Sequence, residues 1–386
     1  MIKALAAHTS EIDDAELAVA DIMEQLDLEP NLLKNSVGII TCYLDFIDNG
    51  TVKAICALLP FDVVGINTLG CATASLGGGT TLALFVLTSD DVSFSAGVSL
   101  PVLPEGGKAI SELYEKTSAG LGGKPNFGLV FAPFILGTAG DIFVRRLDEL
   151  SGGVPLFGCT PSDFTIGHRS PQVIYNGETY QGSMAIVLMS GNLNPRFFLS
   201  GVSEKKISNR KAVVTASEDN ILKEINGTPA AEFLDSLGLL LNDGSIAGAM
   251  GLVHLVMNFP DGTPPVIRVI QELTPEGYLK MGGLVPVNST LAVAALDYDD
   301  VIKSLSDVMK EARRDPCDLL FIISCMARNF ALGLDDMDEI NLVRATIKDG
   351  TPFLFTYTSG EFSPVQRHDG TTATRHHNVT LVACAL

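Results

Sequence analysis

The chain has 386 residues, 46% of them hydrophobic, and a formal net charge of -19 at pH 7. Because a single hydrophobic core stops growing at roughly 250 to 300 residues, this length predicts two or three domains. The negative charge disfavours a nucleic acid or an anionic membrane surface as partner, since either would be repelled, and favours neutral, cationic or small partners.

Apolar runs of strand length recur in a fixed order along the chain. Each copy has a first run, a helix-compatible stretch, a second run, a polar or glycine-rich loop and a third run. The runs are, in chain order, SVGIITCYLDF, FDVVGINTLGC and TTLALFVLTS; FGLVFAPF, VPLFGCTPSDF and GSMAIVLMSG; DLLFIISCMARN, TPFLFTYTSGE and HNVTLVACAL. Continuous apolar runs are expected where helices cover both faces of a sheet. The sequence therefore predicts three strand–helix–strand–loop–strand copies.

The segment between the second and third copies has a different pattern. It alternates short strands with two amphipathic helices, and Pro229 suits the first turn of one of them. The polar stretch SEKKISNRKA precedes this segment and predicts a domain boundary near residue 205. Several strands follow one another without a helix, which favours partly antiparallel sheets. We therefore predict a mixed α/β (α+β) protein with two domains, 1–204 and 205–386, whose sheets are covered by helices.

Neither the amino terminus nor the cysteines suggest export. No apolar run approaches the ~20 residues of a membrane-spanning helix, and MIKALAAHTSEIDD has no long apolar core behind its one lysine. We therefore expect a soluble cytoplasmic protein without membrane insertion. The seven cysteines lie mostly in or beside apolar runs, which predicts reduced thiols. No CxxC pair occurs, and we expect no metal and no cofactor.

The order of several motifs resembles the FIST family from end to end. These motifs are GCATAS, VPLFGCTPSD, YNGETYQGSMAIVL, VVTASEDNILKEINGTPAAEFL, VIRVIQELTPEGYLKMGGLVP, FIISCMARNFALG, FTYTSGEFSP and HNVTLVACAL. The resemblance implies a FIST N-type domain over 1–204 and a FIST C-type domain over 205–386. It also implies a small-ligand sensory module of prokaryotic signalling, with amino acids as the suspected ligands. No kinase, cyclase, chemoreceptor or helix-turn-helix segment is attached, so we expect the signal to pass to a separate protein.

The carboxy-terminal motifs match the family best. They are a strand that ends in Ser-Cys, an arginine three residues later, a Gly-Glu and a His-Asn-x-Thr, which correspond to Cys325, Arg328, Glu361, His377, Asn378 and Thr380. In the amino-terminal part the family usually follows Gly-Cys-Ser-Thr with a Gly-Glu. Here Cys71 and Thr73 run into ASLGGG instead, so that carboxylate is missing.

Glu361 and Arg328 each have two interpretations. Loops at the carboxyl ends of strands line the crevices of α/β sheets, so Glu361 could contact a ligand there. It could equally be a turn carboxylate that pairs with backbone amides or an arginine. Arg328 could hold a ligand carboxylate in a bidentate pair, or form an internal bridge to Glu361 or Glu339.

The cysteines and histidines allow an alternative of another class. Cys325 or Cys71 could be a nucleophile with His377 as its base and Asn378 orienting the imidazole, as in a thiol-dependent hydrolase or acyl transferase. A lone cysteine without an assigned base more often packs in the core, and an Asn before a strand often turns the chain. A third alternative is a protein-interaction module that binds no metabolite.

The favoured hypothesis is a sensor, not an enzyme, that binds a zwitterionic or carboxylate-bearing metabolite. Arg328 would hold a carboxylate and Glu361 an amine, while Asn378 and Thr380 would add directional hydrogen bonds. We expect no catalytic residues. The expected ligand-binding residues are Cys71, Thr73, Cys325, Arg328, Glu361, His377, Asn378 and Thr380.

Overall fold

Most of the chain is described by a computed structural model. The described residues are 2–103, 106–163, 171–201, 203–242, 244–246, 253–333, 336–347 and 350–386. Helices and strands mix throughout these ranges, so the predicted mixed α/β class is confirmed. Within them, no helix is both long and apolar enough to cross a membrane.

The first copy contains one parallel strand pair and antiparallel neighbours. Its elements are β1 (Lys3–Thr9), α1 (Ala15–Leu26), α2 (Leu28–Asn31), β2 (Asn35–Cys42), α3 (Asp45–Asp48), α4 (Thr51–Leu58), β3 (Val63–Asn67), β4 (Cys71–Ala72), β5 (Gly77–Gly78), β6 (Leu82–Ser89) and β7 (Ser93–Val98). β2 and β3 run parallel across α3 and α4, and β6 pairs antiparallel with β2. The Asp14 side chain caps α1 by accepting hydrogen bonds from the Glu16 and Leu17 amides.

The second copy repeats this arrangement. Its elements are α5 (Gly106–Ala119), β8 (Phe127–Phe131), α6 (Asp141–Ser151), β9 (Leu156–Cys159), β10 (Val173–Tyr175), β11 (Glu178–Tyr180), β12 (Ala185–Ser190) and β13 (Arg196–Leu199). β8 and β9 run parallel across α6, and β12 pairs antiparallel with β8. Gly152 caps the carboxyl end of α6, and its φ of 66° lies in the left-handed region that glycine adopts at little cost.

The segment before the third copy forms a separate sheet, which we call the inserted sheet. After a short 3-10 turn (Glu204–Lys206) it comprises β14 (Ala212–Glu218), β15 (Ile221–Ile225), β16 (Thr228–Pro229), α7 (Ala230–Asp235), β17 (Val253–Asn258), β18 (Val266–Leu273), β19 (Leu279–Met281) and β20 (Thr290–Ala295). Its strands follow the order β14-β20-β17-β18-β19-β15-β16, and pairing of β14 with β15 closes the sheet on itself. A hydrophobic cluster of its own fills the closed sheet.

The third copy completes the chain. Its elements are α8 (Tyr298–Ala312), β21 (Leu320–Cys325), α9 (Met326–Ala331), α10 (Asp336–Thr346), β22 (Phe353–Thr358), β23 (Glu361–Gln366), β24 (Thr372–His377) and β25 (Leu381–Ala385). β21 and β22 run parallel across α9 and α10, and β25 pairs antiparallel with β21. The same pairing pattern in all three copies confirms the predicted repeat.

Each of the three six-stranded sheets contains a hairpin from another copy. The β10–β11 hairpin extends the first sheet beside β3, β23–β24 extends the second beside β9, and β4–β5 extends the third beside β22. Two of these sheets therefore combine strands from both sides of residue 205. We call β23–β24 the exchanged hairpin, because it carries Glu361 and His377 out of the third copy and into the sheet of the second.

The inner faces of the three sheets pack directly on one another. Ile39, Leu129 and Phe321, one from each sheet, belong to a single buried cluster, and none of its described members lies in a helix. Helices of the three copies pack on the outer faces, in three separate clusters. Residues of α8 and α9 also pack against the inserted sheet. The expectation that helices cover both faces of each sheet was therefore wrong. A continuous apolar run shows that both faces are buried, but the second face can be buried by another sheet.

Candidate functional site

Glu361 lies fully buried at the first position of the exchanged hairpin. Its carboxyl oxygens accept hydrogen bonds from Thr380 Oγ1 at 2.8 Å and Thr358 Oγ1 at 3.3 Å. Burial raises the pKa of Glu361 to about 8, and these hydrogen bonds and one from the Cys325 thiol only partly oppose the effect. The side chain is therefore mostly protonated at neutral pH and does not present a fixed negative charge.

Cys325 ends β21 beside Glu361 and is also buried. Burial, and secondarily the neighbouring Glu361 carboxyl, raise the pKa of its thiol well above the usual range. The nucleophilic form of cysteine is the thiolate, so this environment opposes reactivity. Burial and the raised pKa of the thiol agree with the packing interpretation of Cys325.

His376 and His377 point to opposite faces of the second sheet. His377 is paired with Glu361 in the strand register, as is Cys159 on the other side, so these three share the face toward the central core. Burial lowers the pKa of His377 to about 3, which keeps the ring neutral. His376 Nδ1 lies 3.6 Å from Asp141 Oδ2 on the outer face, beyond hydrogen-bond distance. Asn378 follows and donates to the His377 carbonyl at 3.1 Å.

Arg328 is committed to an internal ion pair. Its Nη2 and Nε donate to Glu339 Oε1 at 2.7 and 3.1 Å, and Nη2 also donates to the Val301 carbonyl at 3.0 Å. Ser324 Oγ donates to the second Glu339 oxygen at 2.9 Å. Both charged side chains are at most 1% exposed. Of the alternatives that the sequence left open, the structure contains the bridge to Glu339.

Cys71 and Thr73 lie in the hairpin that extends the third sheet. The Cys71 thiol donates to the carbonyls of Thr41 and Thr81 at 3.5 and 3.3 Å, and burial raises its pKa to about 12. Thr73 Oγ1 lies 2.9 Å from His8 Nδ1. Of the eight residues predicted to bind ligand, the structure thus brings Cys325, Glu361, His377, Asn378 and Thr380 into one neighbourhood. Arg328, Cys71 and Thr73 have their contacts elsewhere.

A second buried ion pair was not predicted from the sequence. Arg268 in β18 is 0% exposed, and its Nη2 donates to Asp141 Oδ1 and Oδ2 at 3.1 and 3.3 Å. Nη1 donates to the His376 carbonyl at 2.8 Å, and Nε donates to the Leu284 carbonyl at 3.1 Å. The Leu284 amide in turn donates to Asp141 at 2.9 Å. The Arg268 guanidinium lowers the pKa of Asp141 against the opposing effect of burial.

Asp141 also lines a cleft of about 730 Å³. The cleft lies where α6, loops of the inserted sheet and the exchanged hairpin meet. Its lining residues are Asp141, Arg145, Asp148, Glu149, Gly152, Gly153, Phe259, Pro260, Asp261, Leu284, Pro286, Arg367, Thr371, Thr372, Thr374 and Arg375. This volume suits a small organic ligand. The cleft brings charged groups of both signs against an apolar wall.

A larger groove of about 850 Å³ lies on the outside of the first sheet. Lys34 and Asp62 are the charged residues among its lining, which otherwise consists of leucines and other uncharged side chains. Among the described residues, no buried ion pair includes a residue of its lining. We therefore regard the smaller cleft above Asp141 as the candidate functional site.

Two sequence signals could have indicated this cleft. The run VIRVI places Arg268 in the middle of an apolar strand, where a cation needs a buried partner. The stretch RHDGTTATRHH concentrates basic residues in a chain with a net charge of -19. Neither signal identifies Asp141 as the partner, because it lies 127 residues away along the chain.

Two protein-family models match the chain. The FIST N domain model matches residues 37–228, and the FIST C domain model matches residues 221–364. The chain belongs to the FIST family. FIST domains are associated with small-ligand sensing and signal transduction. Asp141 lies in the FIST N match and Arg268 in the FIST C match, so their ion pair joins the two matched regions. No curated protein matches the chain.

Proposed function

We propose that this FIST protein is a sensor that binds a small metabolite in the cleft above Asp141. The observation that carries the proposal is the position of the Asp141–Arg268 pair. Asp141 lines the cleft, and the pair links three distant parts of the chain. Asp141 belongs to α6, Arg268 to the inserted sheet, and the His376 carbonyl to the exchanged hairpin. A ligand that rearranges this pair would act on all three elements at once.

The coupling requires that the ligand binds one arrangement of these elements more tightly than another. Asp141 is 7% exposed, at the boundary between the cleft and the interior. A cationic or hydrogen-bonding ligand group near Asp141 would compete with Arg268 for the carboxylate. Behind Arg268, the exchanged hairpin leads to His377 and Glu361. A shift of the hairpin would therefore reach the central core, and we propose that a separate signalling partner recognises the resulting change.

The cleft offers groups for both ends of a zwitterion, so amino acids are among the ligands that we propose. Arginine side chains on its wall suit a carboxylate, and aspartates suit an amine. We place the ligand here instead of at Arg328 and Glu361, because Arg328 is already bonded to Glu339, Val301 and Ser304, and burial disfavours the charged form of Glu361 by raising its pKa. A reducing, cytoplasmic compartment suits the seven cysteines, which are all free thiols.

A thermal-shift screen against amino acids and other metabolites tests this function. A ligand of the folded state raises the apparent stability by RT ln(1 + [L]/Kd), or about 2.7 kcal/mol at a hundredfold excess over Kd. We expect at least one metabolite to shift the wild type and Asp141→Asn to reduce that shift. Asp62→Asn in the larger groove is the matched control and should retain it. The proposal fails if no metabolite produces a shift, or if Asp62→Asn abolishes the shift and Asp141→Asn does not.

A further inference from the structure

Most charged groups of the cleft already have partners within the protein. Asp141 pairs with Arg268, Asp261 pairs with Arg375, and Glu149 pairs with an arginine outside the lining. Each of these carboxylates is therefore neutralised by a cation that the protein supplies. A ligand would have to break an ion pair to use any of them.

Asp148 is committed in a different way. Its two oxygens accept hydrogen bonds from the Thr374 amide at 2.7 Å and from Thr374 Oγ1 at 2.8 Å, which fixes the exchanged hairpin to α6. Burial raises its pKa, and the two bonds from Thr374 only partly oppose the shift. The fourth carboxylate of the cleft is thus also occupied, and its negative charge is disfavoured.

Arg145 and Arg367 are the cations that remain. Arg145 is exposed on α6 and has no ion-pair partner among the residues that the structure describes. Arg367 donates to Thr371 Oγ1 at 3.1 Å, but its Nε lies 4.0 Å from Asp261 Oδ2, which Arg375 already holds. The charged side chains of the cleft that lack a close ion-pair partner are therefore positive, although the whole protein carries a net charge of -19. Such a local reversal of sign attracts an anionic ligand.

Part of the cleft lining is apolar. It is formed by Phe259, Pro260, Leu284 and Pro286, from two loops of the inserted sheet. Phe259 is held in place because Arg268 and Arg375 stack over its ring, with centroid distances of 5.5 and 5.6 Å. A ligand that fits both the arginines and this apolar lining has an anionic group and an apolar body.

We propose that the cleft takes a small organic acid, with its carboxylate against Arg145 and Arg367 and its apolar body against the Phe259–Pro286 wall. The inference rests on the proposed sensory function and narrows its ligand. The planar guanidinium groups match a carboxylate in bidentate geometry, which gives specificity as well as affinity. No ammonium group is required, because each carboxylate of the lining already has a partner within the protein, which an ammonium group would have to displace.

Two matched sets of probes test the ligand class by isothermal titration calorimetry. One set is isocaproate, isocaproamide, isoamylamine and leucine, and the other is phenylacetate, phenylacetamide, phenethylamine and phenylalanine. We expect the acids to bind, the amides and amines to bind at least about tenfold more weakly, and the amino acids to bind no more tightly than the acids. Affinity for the acids should fall at high salt, because the arginines are near the surface.

Variants then locate the two ends of the ligand. Arg145→Gln and Arg367→Gln should each weaken isocaproate about tenfold or more, whereas Arg314→Gln, an exposed arginine outside the cleft, should leave it unchanged. Leu284→Ala should weaken isocaproate relative to acetate, because it shortens the apolar wall. Its backbone contacts with Asp141 and Arg268 remain.

Two results overturn the inference while leaving the sensory function standing. One is a metabolite shift that depends on Asp141 but is produced only by amines or neutral compounds. The other is binding of the acids that is unaffected by both Arg145→Gln and Arg367→Gln. If no compound of the metabolite screen or of the probe sets binds at all, the proposed function fails together with the inference.

Discussion

Arg328 and Arg268 are both fully buried and both pair with a buried carboxylate, yet they lie in different settings. Arg328 bonds to Glu339 and Val301, which are only 11 and 27 residues away along the chain. Its partners belong to helices of one copy that pack outside one sheet. This pair holds together neighbouring helices, and the protein itself satisfies the groups around it.

Arg268, in contrast, bonds to groups that are 127 and 108 residues away. Its carboxylate partner Asp141 is at a cleft, and neither nitrogen of the adjacent His376 ring has a hydrogen-bond partner among the described residues. A pair that joins distant parts of the chain next to an open cleft can respond to a ligand. Burial and charge alone therefore do not identify a functional site. The segments that the ion pair joins and its access to solvent must also be known.

Glu339→Leu should have the largest effect on stability. Removing one partner of a buried ion pair leaves the other charge unpaired, and Arg328 has no second carboxylate in contact among the described residues. We expect the free energy of unfolding to fall by about 3–5 kcal/mol, measured by urea denaturation. The double variant Arg328→Met with Glu339→Leu should recover most of the loss, because no charge then remains buried. A loss in the double variant as large as in the single one would contradict this account.

Glu361 is a buried carboxyl group that pairs with neither arginine, and its pKa of about 8 gives a pH test. An unfolded glutamate has a pKa of about 4.3. Between the two values the folded state keeps a proton that the unfolded state releases, so stability decreases as pH rises. From pH 5 to pH 7 the decrease should be about 3 kcal/mol at roughly 1.4 kcal/mol per pH unit.

Glu361→Gln should remove this decrease, so the variant gains stability relative to the wild type as pH rises from 5 to 7. The measurement is urea denaturation of both proteins at the two pH values. Glu149→Gln, a change at an exposed glutamate, is the control and should follow the wild type. Equal pH slopes for wild type and Glu361→Gln would show that Glu361 is ionised in the folded protein.

Asp141→Asn should have a smaller effect than Glu339→Leu. Arg268 keeps its bonds to the carbonyls of Leu284 and His376, and the cleft admits water to the site, so we expect a loss of about 2 kcal/mol near neutral pH. The folded-state pKa of Asp141 is lowered, so its contribution is present above about pH 4, the unfolded value, and disappears as pH falls through the folded-state value. The stabilities of wild type and variant should therefore converge in acid. A constant difference down to low pH would contradict the charged pair.

The repeat was predictable because its signal is local. Each copy shows apolar runs of strand length separated by helix-compatible stretches, as in SVGIITC and FIISC. The hairpin exchange was not predictable, because pairing partners such as Cys159 and Glu361 are about 200 residues apart. The sequence of neither segment indicates the strand with which it pairs. The same limit explains the error about helices on both faces, since a pattern of burial does not identify what covers it.

The site could be predicted only in part. The resemblance to FIST proteins drew attention to Glu361, Thr380 and Cys325, and the structure does bring them into contact. It also drew attention to Arg328, whose partner Glu339 lies on the next helix, and the sequence left that bridge open as an alternative. The cleft depends on three segments that are far apart in sequence, so neither Asp141 nor Arg145 carried any local signal.

The rate at which Cys325 is chemically modified can distinguish the effects of the two buried ion pairs. It immediately precedes α9, which carries Arg328, and its thiol contacts Glu361 in the exchanged hairpin. Burial and the Glu361 carboxyl raise the pKa of this thiol, so a thiol-specific electrophile at neutral pH should modify half-buried Cys317 before Cys325, as read by mass spectrometry.

Glu339→Leu loosens the attachment of α9, and we expect it to speed modification of Cys325. Asp141→Asn changes the ion pair beside the cleft and not the attachment of α9, so it should leave the rate of Cys325 modification unchanged. If Cys325 in the wild type instead reacts faster than the other cysteines, the thiol is activated, and the thiol-dependent hydrolase alternative becomes the better account of this neighbourhood.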